Sequence, residues 1–365
     1  MLHTEFSFNH ILARKNRLVD HRGNQIKETL YPVPVNRKYG FIDRNGAIRI
    51  EPQFTFAGEF YCGRAAVLVD DQCGYIDYNG RMVIESKYNY ANQFCENLAE
   101  VNLDGSWGYI NTSGQLKIKH DYGYSSMFNE GLAWVKPGRC VDIYEDGTRS
   151  TRLLNTSIHG NVKDEEYQNP GPIKFINTEG NTVIDNGFTG AKMFSEEVAP
   201  VRTSVGWGYI NSQGCWTIEP VFQHACIFSN GVAGVRVKKS DLYRWFYIDH
   251  SGEKIFDREF IEASDFVFGC AHVRFENKKY GVIDQNGNVI LESYTDPIRV
   301  LSENAFCLRG NGGYRIVDRD MKIIVDNLPE SPGEFLFGVS RVDTRKAEMY
   351  GYIDINGEYI WEPTC

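Results

Sequence analysis

The chain has 365 residues, of which 42% are hydrophobic and 24% charged, a globular balance that excludes wholesale disorder. A formal net charge of −9 repels phosphate backbones and argues against nucleic acid as a partner, and no run reaches the ~18 apolar residues a membrane helix needs. With 21 Tyr, 22 Phe and 35 Gly, the mixture of rings and turn formers favours β structure.

The chain opens with MLHTEFSFNHILARKN, which has neither a basic start nor a continuous apolar core, so no secretory leader is expected. The nine Cys are scattered singly with no C-x-x-C pair, which speaks against a zinc ribbon or a disulfide framework. They read as free thiols serving as small core residues, and the expected compartment is cytoplasmic. Residues 1–30 hold a shortened copy of a repeating unit, LVDHRGNQI around Gly23, and are read as an N-terminal partial or capping unit; 31–365 is the repeat array.

In the array one phrase recurs, Gly-aromatic-Ile-Asp/Asn-x-x-Gly. It ends at Gly46, Gly80, Gly114, Gly180, Gly214, Gly252, Gly287 and Gly357, with Met321 in the glycine place of one unit and a poor copy, VDIYEDG, at Gly147. The ten copies succeed each other at steps of 33 to 38 residues. A second phrase, Phe-x-x-Gly/Asn-x-Ala, keeps phase from Phe60, Phe94, Phe128, Phe228 and Phe266, with looser forms at Phe194, Leu301 and Phe335. The step from Phe128 to Phe194 is double, so a degenerate unit is expected at about 136–172.

Within a unit the elements come in a fixed order. Alternation in LAEVNLD from Leu98 predicts a half-buried strand, and Trp-Gly-Tyr-Ile from Trp107 a second. Asp-x-Asn-Gly predicts a tight turn, because Asn and Gly tolerate positive φ and Asx side chains close local hydrogen bonds. AIRIEP from Ala47 predicts the returning strand, and the stretch from Tyr88 to Ala91 a fourth extended piece. No stretch of ten residues has helical periodicity, so the chain is expected to be all-β.

The pairing of Phe-x-x-Gly-x-Ala-x-Val with Trp-Gly-Tyr-Ile-Asp-x-x-Gly resembles the bacterial WG-repeat family, also called KWG repeats. Trp107-Gly108 and Trp207-Gly208 carry the naming dipeptide, and the resemblance runs from about Asn36 to Pro363. It implies β-rich interaction scaffolds and brings no catalytic residues with it. A unit of this size buries too little apolar surface to fold alone, so neighbours must cover each other's aromatic faces. The expected architecture is a propeller-like array of tandem WG-type β-repeats, closed as one ring or as two; the alternative is an open β-solenoid. EFSFNHILA from Glu5 has the composition of a closing strand.

The acidic column before each turn glycine (Asp20, Asp43, Asp77, Asp249, Asp284, Asp318, Asp354, with Asn111, Asn177 and Asn211) echoes part of a calcium loop but lacks its remaining ligands, and reads as turn caps. The aromatic column Tyr39, Trp107, Trp207, Trp245, Tyr280 and Tyr350 reads as inter-unit packing or as a ladder for sugars or peptides. No His pair, Walker loop or nucleophile elbow is present, so no catalytic residue, metal or cofactor is assigned. The pattern breaks at 149–172, which holds the acidic run Asp164, Glu165 and Glu166. The candidate binding residues are therefore Trp107, Trp207, Trp245, Asp164, Glu165 and Glu166. The expected function is a non-catalytic scaffold with a protein partner. A carbohydrate- or cell-surface-binding module is the alternative, and an enzyme with a loop-built site the third reading.

Overall fold

The computed structural model describes residues 24–25, 29–144, 149–150, 162–168, 171–293, 296–310, 312–328, 330–343 and 350–364, and among them the regular elements are all strands. The N-terminal unit read over 1–30, with its closing segment at Glu5, lies almost wholly outside the described residues.

Each repeat is a small antiparallel meander, here called a blade, with strands a to d in chain order. The third blade is the clearest: a is Tyr90–Ala91, b Leu98–Leu103, c Ser106–Asn111, and d opens the strand Leu116–Ser125. Alternation does what the pattern requires. Ala99 and Val101 of b and Ile110 of c are buried in one cluster, while d shows the exposed Lys117 and Lys119 outward around buried Ile118. The glycine of Trp-Gly is there for space, since a Cβ at Gly108 would meet the Ile118 carbonyl oxygen of strand d at 2.7 Å. That close approach accompanies a register shift between c and d at this point.

Three kinds of turn hold a blade. The a–b turn is Glu96-Asn97, both at positive φ (51° and 64°), flanked by the mutual bridge of Cys95 and Leu98. The b–c turn, Asp104-Gly105, has the same form (50° and 81°). At the c–d turn an Asp or Asn Oδ1 accepts two backbone N–H groups: Asp43 from Asn45 (2.9 Å) and Ala47 (3.1 Å), Asn111 from Ser113 and Gln115, Asp354 from Asn356 and Glu358. The acidic column thus caps turns, and Asn can replace Asp there because the two backbone bonds use a single acceptor oxygen.

From the first blade to the sixth, strand d runs almost directly into strand a of the next, and aromatic contacts weld the joins. The Tyr of the Tyr-Ile dipeptide in strand c donates to a carbonyl two residues before the next blade's Phe: Tyr75 to Asn92 (2.6 Å), Tyr109 to Ser126 (2.7 Å), Tyr209 to Cys226 (2.7 Å) and Tyr247 to Ser264 (2.7 Å). The ring centroids sit 4.8 Å apart for Tyr75–Phe94 and Tyr109–Phe128, and 4.9 Å for Tyr209–Phe228 and Tyr247–Phe266. Each repeat therefore buries its face against its sequence neighbour.

The array closes on itself. Tyr31 of the first blade donates to Leu336 O in the ninth (2.9 Å), and Tyr350 and Tyr352 of the ninth both donate to Pro32 O (3.0 and 2.9 Å). Tyr31, Val33, Ile42, Val339, Tyr350 and Tyr352 form one buried cluster across this seam. The fold is a propeller-like ring rather than an open solenoid, with nine blades among the described residues.

The segment around Gly147 builds no blade. Gly147 itself lies outside the described residues, but the strands beside it, Arg139–Tyr144, Arg149–Ser150 and Val162–Gln168, form their own three-stranded sheet. In the fourth blade, strand b (Leu132–Pro137) pairs directly with strand c (Ile173–Asn177), Ala133 opposite Ile176 and Val135 opposite Lys174. Residues 138–171 thus replace a two-residue b–c turn. The inserted length is close to one repeat, which is why the spacing reads as an extra unit.

Candidate functional site

A meander of this kind puts its a–b and c–d turns at one end and its b–c turns at the other, so the ring has two unlike faces. On the first, polar groups are committed to the fold. Besides the Asp and Asn caps, a relay of glutamates links the a–b turns. Glu96 accepts the N–H groups of Glu130 and Gly131 (2.8 and 3.0 Å), Glu130 accepts those of Glu196 and Glu197 (2.7 and 2.8 Å), and Glu196 that of Gly231 (2.9 Å). These are charge-assisted bonds from one blade to the next.

The irregular features collect on the b–c face. The inserted sheet leaves there from the fourth blade. The fifth blade has a wider b–c loop from Thr203 to Gly206 between strands Val198–Arg202 and Trp207–Asn211. The sixth has its hairpin lengthened to seven-residue strands, Ala233–Lys239 and Leu242–Ile248. Here stand the three most exposed large apolar side chains of the described residues: Val205 (75%), Val221 (61%) and Leu242 (57%), with Tyr243 also exposed. Exposed apolar groups clustered at loop ends mark contact surfaces more often than scattered ones do.

On the same two blades, Trp207 of the fifth and Trp245 of the sixth flank His224, with ring centroids 6.0 and 5.1 Å from it. The indole of Trp207 lies over Gly190, where a Cβ would meet its Cη2 at 3.3 Å, so a side chain at 190 would displace it. Cations lie over the rings: Lys192 Nζ is 5.8 Å from Trp207, and the Arg236 guanidinium is 5.6 Å from Trp245 and 4.9 Å from Tyr243. Burial, with Lys192 and Arg236 adding to it, pushes His224 down to about 3, so the imidazole is neutral. His224 Nδ1 and Arg236 Nε are buried without a hydrogen-bond partner.

Asp265 is also buried, and its Oδ1 has no hydrogen-bond partner. Burial raises the Asp265 carboxyl above its ordinary range, against the opposing charge of Lys192. A carboxyl raised in the folded state contributes stability that is full below the ordinary carboxylate range, near pH 4, and is lost as pH rises through the raised value. Asp265→Asn is therefore expected to have a higher urea midpoint than the native chain at pH 7, with the difference vanishing as pH falls to about 4. Equal midpoints at pH 7 would show that this carboxyl does not titrate abnormally.

The structure brings two of the six sequence-chosen residues together, Trp207 and Trp245. Trp107 sits in the third blade, edge-on to Tyr90 at 5.0 Å. Asp164, Glu165 and Glu166 lie on the inserted strand Val162–Gln168, opposite Ile143, Asp142 and Val141. The column is no continuous ladder: Trp245 is 8% exposed, and Arg274 and Arg341 cover Tyr280 and Tyr350. Sequence reasoning missed His224, Lys192 and Arg236, which hold repeat positions where the residue type varies from unit to unit, and the glutamate relay, whose only trace is Glu after Phe-x in FCENLA, FNEGLA and FSEEVA.

Among known proteins, no curated sequence matches the chain. Solved structures with a similar outline include a eukaryotic initiation factor (11% identity over 93% of this chain and 97% of that one, TM-score 0.46). Two others are BamB from Moraxella catarrhalis (9%, 90% and 92%, 0.43) and the Dos1 propeller (9%, 83% and 91%, 0.41). The model for the WG containing repeat matches residues 39–73, 74–107, 107–136, 175–204, 207–239 and 245–278, more than half of the chain. Its matches pass over the inserted sheet, each running from strand c of one blade through strand b of the next, and with the Trp-Gly strands, the capped turns and the Phe columns all in register, the chain belongs to the WG repeat family.

Proposed function

We propose that the ring is a non-catalytic cytoplasmic scaffold that binds a protein partner on its b–c face. The observation that carries this reading is the exposure of Val205, Val221, Leu242 and Tyr243 at the b–c ends of the two adjoining blades that hold Trp207 and Trp245, while the opposite face spends its polar groups on caps and relays. Trp, Tyr and Arg are the residue types that dominate binding energy at protein interfaces. Trp245 is buried and Trp107 is engaged edge-on, which supports a protein contact over a row of sugar-stacking rings. Six of the seven described free cysteines are buried, in keeping with a reducing compartment.

The test is affinity capture from native cell extract with the full chain as bait. The double variant Val205→Asp with Leu242→Asp changes only exposed positions, so its melting curve should match that of the native chain. A stoichiometric protein recovered by the native chain is expected to fall at least about tenfold with the variant. Recovery of no stoichiometric protein, or equal recovery with both, would overturn the reading. A second bait, with 138–171 replaced by Asp-Gly on the pattern of Asp104-Gly105, reports whether the inserted sheet shares in the contact.

A further inference from the structure

The partner's chemistry is written in the charges around the patch. The chain as a whole is acidic, at −9, and three cations of the sixth blade are matched: Lys239 and Lys254 both bind Glu259 (2.5 and 2.6 Å), and Arg244 binds Glu276 (3.4 Å). Among the described residues, Lys192, Arg202 and Arg236 have no carboxylate within ion-pairing distance, and two of the three lie over indole rings. Arg236 also keeps a buried Nε–H without an acceptor. The guanidinium over Trp245 and Tyr243 offers the planar fork that makes two parallel N–H bonds to one carboxylate, the pairing for which arginine is best shaped. The nearest acid on the hairpin is Asp241, at its tip, and it pairs with none of the three.

We propose that this surface takes an acidic segment of a partner protein, with Asp or Glu carboxylates on Lys192, Arg202 and Arg236 and an apolar side chain against Val205, Trp207 and Leu242. The inference rests on the protein-binding reading above and gives it a partner class. Carboxylate complements the three unmatched cations, and the apolar rim supplies the anchor that a bare polyanion lacks. The neutral His224 between the indoles adds area without adding charge.

Peptides of about twelve residues selected from a random display library on the immobilised full chain test this, the winner being synthesised and titrated calorimetrically. The expected winner carries Asp or Glu on both sides of an apolar residue, and its affinity falls about tenfold in Lys192→Ala and in Arg236→Gln and weakens as salt is raised. Trp207→Leu should weaken it too, while the melting temperature of each variant confirms an intact ring. No selected peptide, a winner without acids, indifference to Lys192→Ala and Arg236→Gln, or tighter binding of oligouridylate than of the peptide would each overturn the proposal. The two readings separate: a partner lost with Val205→Asp and Leu242→Asp but unaffected by Arg236→Gln leaves the scaffold standing and removes the acidic partner.

Discussion

Phe94→Ala is expected to destabilise the chain by about 3–5 kcal/mol in urea unfolding, with Phe94→Leu costing a fraction of that. The ring of Phe94 is fully buried, lies 4.8 Å from Tyr75 of the preceding blade, and belongs to a cluster that also holds Cys62, Ile84, Ala99 and Ile110. Its loss removes packing from two blades at once, and the cavity lies between elements that are themselves covalently joined, so neither can move in to fill it. Because a repeat ring need not unfold in one step, the test uses two probes, tryptophan fluorescence and far-UV circular dichroism. A shift under about 1 kcal/mol would mean that neighbouring blades do not depend on this contact. Tyr75→Phe, which only leaves the Asn92 carbonyl without its donor, should cost about 1–3 kcal/mol.

The second large effect is at the seam. Gly46 and Gly131 both adopt positive φ, 81° and 74°. A methyl group at Gly131 would meet nothing within 4 Å, whereas at Gly46 it would collide with the carbonyl oxygen of Ile360, on the last strand of the ring. Gly131→Ala should therefore cost the strain of the left-handed conformation alone, roughly 1–2 kcal/mol. Gly46→Ala should cost about 1–3 kcal/mol more, since backbone cannot step aside as a flexible side chain does. Equal losses at the two positions would show that the first and ninth blades do not meet in solution.

Much of this fold is legible in the sequence because a ring of repeats is locally determined. The turn at Asp43 to Gly46, the strand from Trp107 and the partnership of Tyr109 with Phe128 depend on residues a few tens of positions apart, and the period exposes them all. The closure by Tyr31, Tyr350 and Tyr352 joins opposite ends of the chain, and no periodic pattern states whether a row of blades bends far enough to meet. The inserted sheet was hidden for a different reason: being about as long as a repeat, it leaves the phase of Gly180 and Phe194 undisturbed. At the candidate site the Trp-Gly dipeptides point to Trp207, but its neighbours do not. His224 comes from the following blade, Gly190 matters for the side chain it lacks, and the cations Lys192 and Arg236 matter because neither forms an ion pair with a described carboxylate.

The near absence of linkers between blades has a mechanical consequence. A single residue, Thr55, Asn89, Thr189 or Gln223, separates strand d of one blade from strand a of the next, and the Tyr–Phe welds on either side leave no hinge. Whatever docks on the fourth blade's projection and whatever docks on the fifth and sixth are held at an angle fixed by counting blades, about one ninth of a turn each. The molecule is thus a rigid frame in which the inserted sheet and the aromatic face of the fifth and sixth blades keep a fixed angle to each other.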